Sequence, residues 1–170
     1  MTHPAALDTE DLLRQCSLER GRSSGPGGQH RNRVQTKVVL THVPTGMSAQ
    51  ASERRSAEEN RRVALRRLRL LLATECRAAV PRGECRTALW LSRCGPDGRI
   101  ACNPRHADYP AMLALALDVL ASCGYDAKKG ALRLGCTPSQ LVRLVASHAP
   151  ALDWLNAHRA GKGMHALRGD

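Results

Sequence analysis

The residues of this 170-residue chain best placed to do chemistry begin at Arg22-Ser23-Ser24-Gly25-Pro26-Gly27-Gly28-Gln29-His30. Three Gly and one Pro so close together cannot sustain a helix or a central strand, so the segment reads as an exposed loop. Most glycine-rich loops are turns. This one lacks the Gly, four residues, Gly-Lys-Ser/Thr order of a nucleotide phosphate loop, and no strand–turn–helix context supports dinucleotide binding. A second concentration is Arg54, Arg55, Arg61, Arg62, Arg66 and Arg69. Guanidinium groups match phosphate oxygens, so these Arg are either a solvated helix face or contacts to RNA phosphates. A third is Cys85, Cys94, Cys102 and His106, whose spacing fits no common zinc pattern. With seven Cys, an odd number and without a C-x-x-C pair, buried reduced thiols are expected, with no metal, no disulfide framework and no cofactor.

The surrounding elements follow from pattern. Residues 9–15 suit a short helix with acids in its first turn, and 17–22 a strand. Residues 36–42 and 47–52 read as strands joined by a Pro44-Thr45-Gly46 turn. Ser56 and Glu59 form a capping box that opens a helix to about residue 76, with Val63, Leu68, Leu71 and Leu72 on one face. Pro81-Arg82-Gly83 breaks the chain. A Gly95-Pro96-Asp97-Gly98 turn between 88–93 and 99–102 is compatible with a second hairpin. From Tyr109 the signals are helical. Pro110 fits a first helical position, Gly124 and Gly135 are stops, and Asp126 and Thr137 are caps, with Gln140 three residues after Thr137. A last helix is expected over 150–158, then a loose basic tail from Gly161. The fold class is α+β: a β-hairpin sheet packed on a long helix in residues 1–80, a connecting segment over 81–103, a helical domain over 104–160 and a tail over 161–170.

Composition narrows the partners. The net charge is +11, the sequence pI is near 10.1, and there is no Phe. A chain this basic expects a polyanionic partner. So few rings argue against stacking bases on a row of aromatics. No apolar run approaches the ~20 residues of a spanning helix, so no membrane partner is expected. The first residues carry Asp8, Glu10 and Asp11 and no apolar leader, which predicts a cytoplasmic protein.

The segment Gly25-Pro26-Gly27-Gly28-Gln29-His30, with Asn32, then Thr41-His42, Pro44-Thr45-Gly46, and Arg55-Ser56 with Asn60-Arg61, resembles the catalytic domain of bacterial class I peptide chain release factors and their ribosome-rescue homologues. The resemblance covers about residues 17–76. It implies a small GGQ-type domain that hydrolyses the peptidyl-tRNA ester on the ribosome. Its catalytic residues would be Gly27, Gly28 and Gln29. The Gln29 main-chain N–H would stabilise the tetrahedral oxyanion and its side chain would order the attacking water. Glycines just before that donor let the main chain approach closely. Ser23, Ser24, Gly25, Pro26, His30 and Asn32 would support the loop, with His30 either packing locally or acting directly. Arg22, Arg31 and Arg33 would join the Arg-rich helix in contacting large-subunit rRNA. Arg31, Val34 and Gln35 depart from the family's residues at those positions.

Only about two dozen residues precede the loop, too few for a codon-recognition domain, so codon-independent rescue of stalled ribosomes is expected, by a protein that is monomeric off the ribosome. Residues 126–141 resemble a bacterial helix-turn-helix. They form either an interaction module contacting RNA or ribosomal protein through Ser139, Gln140 and Arg143, or a packing unit. The rival functions are a non-catalytic RNA- or ribosome-binding protein and a DNA-binding regulator.

Overall fold

From Lys37 to His42 every second side chain is buried, and the strand formed there is the centre of a sheet. The computed structural model describes residues 2–21 and 36–169. The described residues divide into two compact units: Leu7–Leu72, and the residues through Ala6 together with those from Ala73 onward.

The first unit holds a three-stranded antiparallel sheet in the order β1 (Cys16–Gly21), β2 (Lys37–His42), β3 (Met47–Ala51). Helix α1 (Thr9–Arg14) precedes it, and α2 (Ala57–Glu75) follows and runs past the unit boundary. The register pairs Gly21 with Lys37 and Val38 with Ala51 at one end, and Cys16 with His42 and His42 with Met47 at the other. β2 buries Val38, Leu40 and His42. Those side chains share the unit's interior with Leu12, Ala51, and Ala64, Leu68 and Leu72 of α2. The expected helix face is therefore corrected in phase. Leu68 and Leu72 are buried, whereas Val63 and Leu71 flank the stripe, and the stripe continues at four-residue spacing through Ala64 to Asn60. Ser56 caps α2 by accepting from the Glu58 N–H at 3.2 Å, one residue earlier than the capping box predicts.

The second unit is helical: α3 (Ala88–Arg93), α4 (Tyr109–Ser122), α5 (Ala127–Leu134), α6 (Pro138–Ala146) and α7 (Ala149–Ala160). α4 is apolar nearly all round, as a helix enclosed by neighbours must be. Met112, Leu113, Ala114, Ala116, Leu117, Val119 and Leu120 are all buried. Two aromatic residues lock this interior through their polar ends: Tyr109 Oη donates to the Leu144 carbonyl at 2.8 Å, and Trp90 Nε1 to the Leu134 carbonyl at 2.8 Å. Asp126 and Thr137 cap α5 and α6 as expected, and Gly135 closes α5 at φ 65°. At Gly130, where α5 crosses its neighbours, an added Cβ would lie 3.0 Å from Leu120 and 3.3 Å from Leu141.

Two expectations change here. The second hairpin is absent as such. Residues Ala88–Arg93 form α3, capped by Thr87 and anchored by Trp90, and only a single bridge, Cys94 to Ile100, closes the Gly95–Gly98 turn. The tail is not loose over its described part. Leu167 exchanges two hydrogen bonds with Asn156, at 2.8 and 3.0 Å, and Arg159 Nε donates to the His165 carbonyl at 2.9 Å. A buried arginine needs carbonyl acceptors, and the tail supplies one.

Asp118 of α4 is 5% exposed. Burial pushes its pKa up to about 6, against the opposing pull of the Ala78 N–H at 3.0 Å and Arg77 Nη1 at 3.4 Å. A carboxyl whose folded pKa lies above its unfolded value of 3.8 contributes stability below that value and loses it as pH rises through about 6. Denaturant unfolding should therefore show Asp118→Asn gaining on the wild type from about pH 4 to about pH 7, by at most about 3 kcal/mol. Parallel pH profiles would contradict this account of the buried carboxyl.

Candidate functional site

The expected catalytic and loop residues Arg22, Ser23, Ser24, Gly25, Pro26, Gly27, Gly28, Gln29, His30, Arg31, Asn32 and Arg33 lie outside the described residues. The described structure supplies the frame from which that segment leaves and to which it returns. Gly21 and Lys37 are register partners, so both ends meet at one end of the β1–β2 ladder.

Asn60 holds that end. It is fully buried on the apolar stripe of α2, where an unpaired amide would be costly. Its Oδ1 accepts from the Arg54 N–H at 2.9 Å, and its Nδ2 donates to the Thr36 carbonyl at 2.6 Å and to the Arg54 carbonyl at 3.0 Å. One side chain thus fixes the first residue described after the loop segment and the turn that leads into α2. Sequence reading placed Asn60 in the motif without a role. Its phase with Ala64 and Leu68, a polar side chain on a buried face, was the available signal.

His42 does comparable work at the opposite end of the sheet. It is buried, its Nε2 lies 3.1 Å from Gln15 Oε1, and its Nδ1 lies 2.8 Å from Thr45 Oγ1. With Gln15 accepting, Nε2 carries the proton and Nδ1 accepts from the hydroxyl. Burial lowers the pKa, which favours this neutral form. The His42 carbonyl accepts from Thr45 and Gly46 N–H, and Gly46 takes φ 70°, where a Cβ would be strained. Thr41, His42, Pro44, Thr45 and Gly46 therefore serve the hairpin.

The arginines divide. Arg54, Arg55 and Arg62 are exposed, and Arg61 and Arg66 are half-buried. Glu58 lies 3.5 Å from Arg61 and 3.6 Å from Arg62, at exposures where such pairs are worth little. Arg69 serves the fold, donating to the Leu7 carbonyl at 2.7 Å and to Thr9 Oγ1 at 3.2 Å. Arg67, which sequence reading did not single out, bonds the Gln50 carbonyl and Glu53.

In the helical unit, Ser139 and Arg143 stand exposed on α6, whereas Gln140 Oε1 accepts from the Ile100 N–H at 3.2 Å. Cys85 Sγ donates to the Arg133 carbonyl, and Cys94 Sγ to the Gly135 carbonyl. His106 sits 3.3 Å from Asp108, which also pairs with Arg93. Among the described residues, no group of three or more His, Cys, Asp or Glu is arranged to hold a metal ion. No described helix is long and apolar enough to cross a membrane.

Replacing Asn60 by Ala strands the Arg54 N–H, the Arg54 carbonyl and the Thr36 carbonyl, all part-buried. At about 1 kcal/mol for each of these three part-buried groups, the lower end of the usual cost, the loss should be about 3 kcal/mol. Hydrogen exchange at the Val38 and Leu40 amides should accelerate accordingly. Protection unchanged from wild type would mean that Asn60 does not hold the frame.

A family model, the RF-1 domain, matches residues 10–87. Peptide chain release factor 1 of Acidiphilium cryptum (strain JF-5) is 44% identical over 83 residues, covering 48% of this chain and 24% of that protein. Peptide chain release factor 1 of Ureaplasma parvum serovar 3 is 49% identical over 51 residues, 30% of this chain and 14% of that protein. Peptide chain release factor 2 of Variovorax paradoxus (strain S110) is 52% identical over 48 residues, 28% of this chain and 13% of that protein. The chain spans about a quarter or less of the length of these relatives. The matched stretch takes in the whole sheet, both buried polar anchors and all of α2, and residues 10–87 are an RF-1 domain.

Proposed function

We propose that this protein hydrolyses peptidyl-tRNA on the ribosome without reading a codon, releasing nascent peptide from stalled complexes. The observation that carries the proposal is the sequence Gly27-Gly28-Gln29 inside an RF-1 domain, on a segment whose two ends are pinned by the Gly21–Lys37 pair and by Asn60.

In this reading the Gln29 N–H donates to the oxyanion that forms when water attacks the ester carbonyl. The amide side chain orders that water. Gly27 and Gly28 keep Cβ atoms out of the approach, and Ser23, Ser24, Gly25, Pro26, His30 and Asn32 support the loop. The ribosome and the tRNA supply the remaining groups, so the chain needs neither a nucleophile nor a cofactor of its own. Arg22, Arg31, Arg33, Arg54, Arg55, Arg61, Arg62 and Arg66 face the phosphates of large-subunit rRNA. The protein acts as a cytoplasmic monomer that assembles with the ribosome and peptidyl-tRNA.

Purified ribosome complexes with a stop codon, a sense codon or a truncated message in the A site test each part. Release should proceed on the truncated complex and should not depend on a stop codon. Gln29→Pro removes the N–H and should lower the single-turnover rate by about 10²–10³-fold, the loss typical of one oxyanion donor. Gln29→Ala keeps that donor and should lose less, and Gly28→Ala should be impaired by its added methyl. Release by Gln29→Pro at the wild-type rate would make the loop non-catalytic and favour a protein that only binds RNA. Strict dependence on a stop codon would remove the rescue role.

A further inference from the structure

The helical unit carries a cleft of about 750 Å³ between the start of α5, the exposed side of α6 and the tail over residues 164–168. Lys128, Arg143, Arg159 and Arg168 line it. Lys128, Arg143 and Arg168 are exposed, and Arg159 forms a buried floor held by the Tyr125 and His165 carbonyls. The one carboxylate among the lining residues is Asp126, and it is committed. It caps α5 by accepting from the Lys128 and Lys129 N–H groups at 2.8 and 3.1 Å, which holds its pKa below the usual range. Four cations therefore meet a carboxylate whose charge is already answered by main-chain amides. The surrounding sequence keeps that sign: from residue 126 to the end there are seven Lys and Arg against three Asp. The lining holds no aromatic ring on which a base could stack, so it is built for a charged chain rather than for bases.

We propose that this cleft binds the phosphodiester backbone of single-stranded RNA, with Lys128, Arg143 and Arg168 contacting phosphates. A second helix of a helix-turn-helix pair could instead enter a DNA major groove, about 12 Å wide. Here that route is walled. The tail lies along α6, with Leu167 tied to Asn156 and Gly169 seated so close that an added Cβ would fall 2.3 Å from Ala146 Cβ. Gln140, which a groove reader would turn outward, spends its carbonyl oxygen on Ile100. What remains is a channel between α6 and the tail, suited to one strand. The proposal does not rest on catalysis by the Gln29 loop.

The test uses the full chain and a fluorescein-labelled ten-nucleotide oligouridylate, with binding followed by anisotropy across a salt series and mapped by amide chemical shifts. Shifts are expected at residues 126–128, 139–143 and 164–168. The triple variant Lys128→Gln, Arg143→Gln, Arg168→Gln should reduce the slope of log affinity against log salt by about 2, since each single-strand phosphate contact contributes ~0.7. At about 0.1 M salt that is a loss on the order of 100-fold. Arg82→Gln with Arg99→Gln, exposed charges outside the cleft, should leave the residual shifts at those three segments unchanged. Asn156→Ala, which frees Leu167, should weaken binding by displacing Arg168. Equal slopes for the triple variant and wild type, with a normal melting curve, would overturn the proposal. So would shifts confined to residues 7–72, tighter binding of a twelve-base-pair DNA duplex, or occupation of the cleft by an oligoglutamate peptide but not by RNA. Peptide release is read separately, so either reading can fail without the other.

Discussion

A single buried carboxamide sets the geometry on which the rest of the RF-1 domain depends. Asn60 lies where the helix stripe calls for an apolar residue, and every donor and acceptor of its side chain is used on main chain. An amide in such a place stabilises only when it is fully paired, and it then permits one arrangement of its partners. Those partners are Thr36, just before β2, and Arg54, in the turn before α2. The catalysis proposed for the Gln29 N–H would need this kind of support, because a donor worth about a hundredfold in rate must be held to a fraction of an ångström by its frame. His42 applies the same device at the far end of the sheet, as a neutral ring between Gln15 and Thr45.

The helical unit solves a different problem with different materials. Its interior is Ala, Leu and Val around α4, with few aromatics, so uniqueness comes from a small set of directed bonds. Tyr109 and Trp90 each fix a helix end through a carbonyl. Gly124 and then Tyr125 adopt positive φ, and the Tyr125 ring packs against Trp154 and His158 while its carbonyl accepts from Arg159. A non-glycine residue in that region costs about 1–3 kcal/mol, and the ring cluster and Arg159 offset it. Arg159 in turn organises the tail, which is how a buried charge comes to shape the basic cleft.

Much of this was legible in sequence because it rests on local chemistry. Caps at Asp126 and Thr137, stops at Gly124 and Gly135, and the hairpin at Gly46 all follow from backbone preference within a few residues. The errors arose where tertiary contacts decide. The Gly95-Pro96-Asp97-Gly98 turn was compatible with a hairpin in which residues 88–93 were a strand, and the Thr87 cap and the bond from Trp90 to Leu134 make them a helix. The tail carries no periodic pattern, so its docking through Asn156 and Arg159 could not be read in advance. The stripe of α2 was misphased because Ala64 and Asn60 do not look like core residues. At the candidate site, residue identities were legible from the motif. The roles of Asn60, His42 and Arg69 as fold anchors required their partners to be seen.

The most direct measurement is a single-turnover time course of peptide release. The intact protein is added in excess to purified ribosomes that hold peptidyl-tRNA on a message ending at the P site. The account predicts that peptide is freed in a first-order phase that reaches nearly all of the bound peptidyl-tRNA, with no release from peptidyl-tRNA free in solution. Stable association with those ribosomes and peptide still esterified to tRNA at the end of the time course would contradict it.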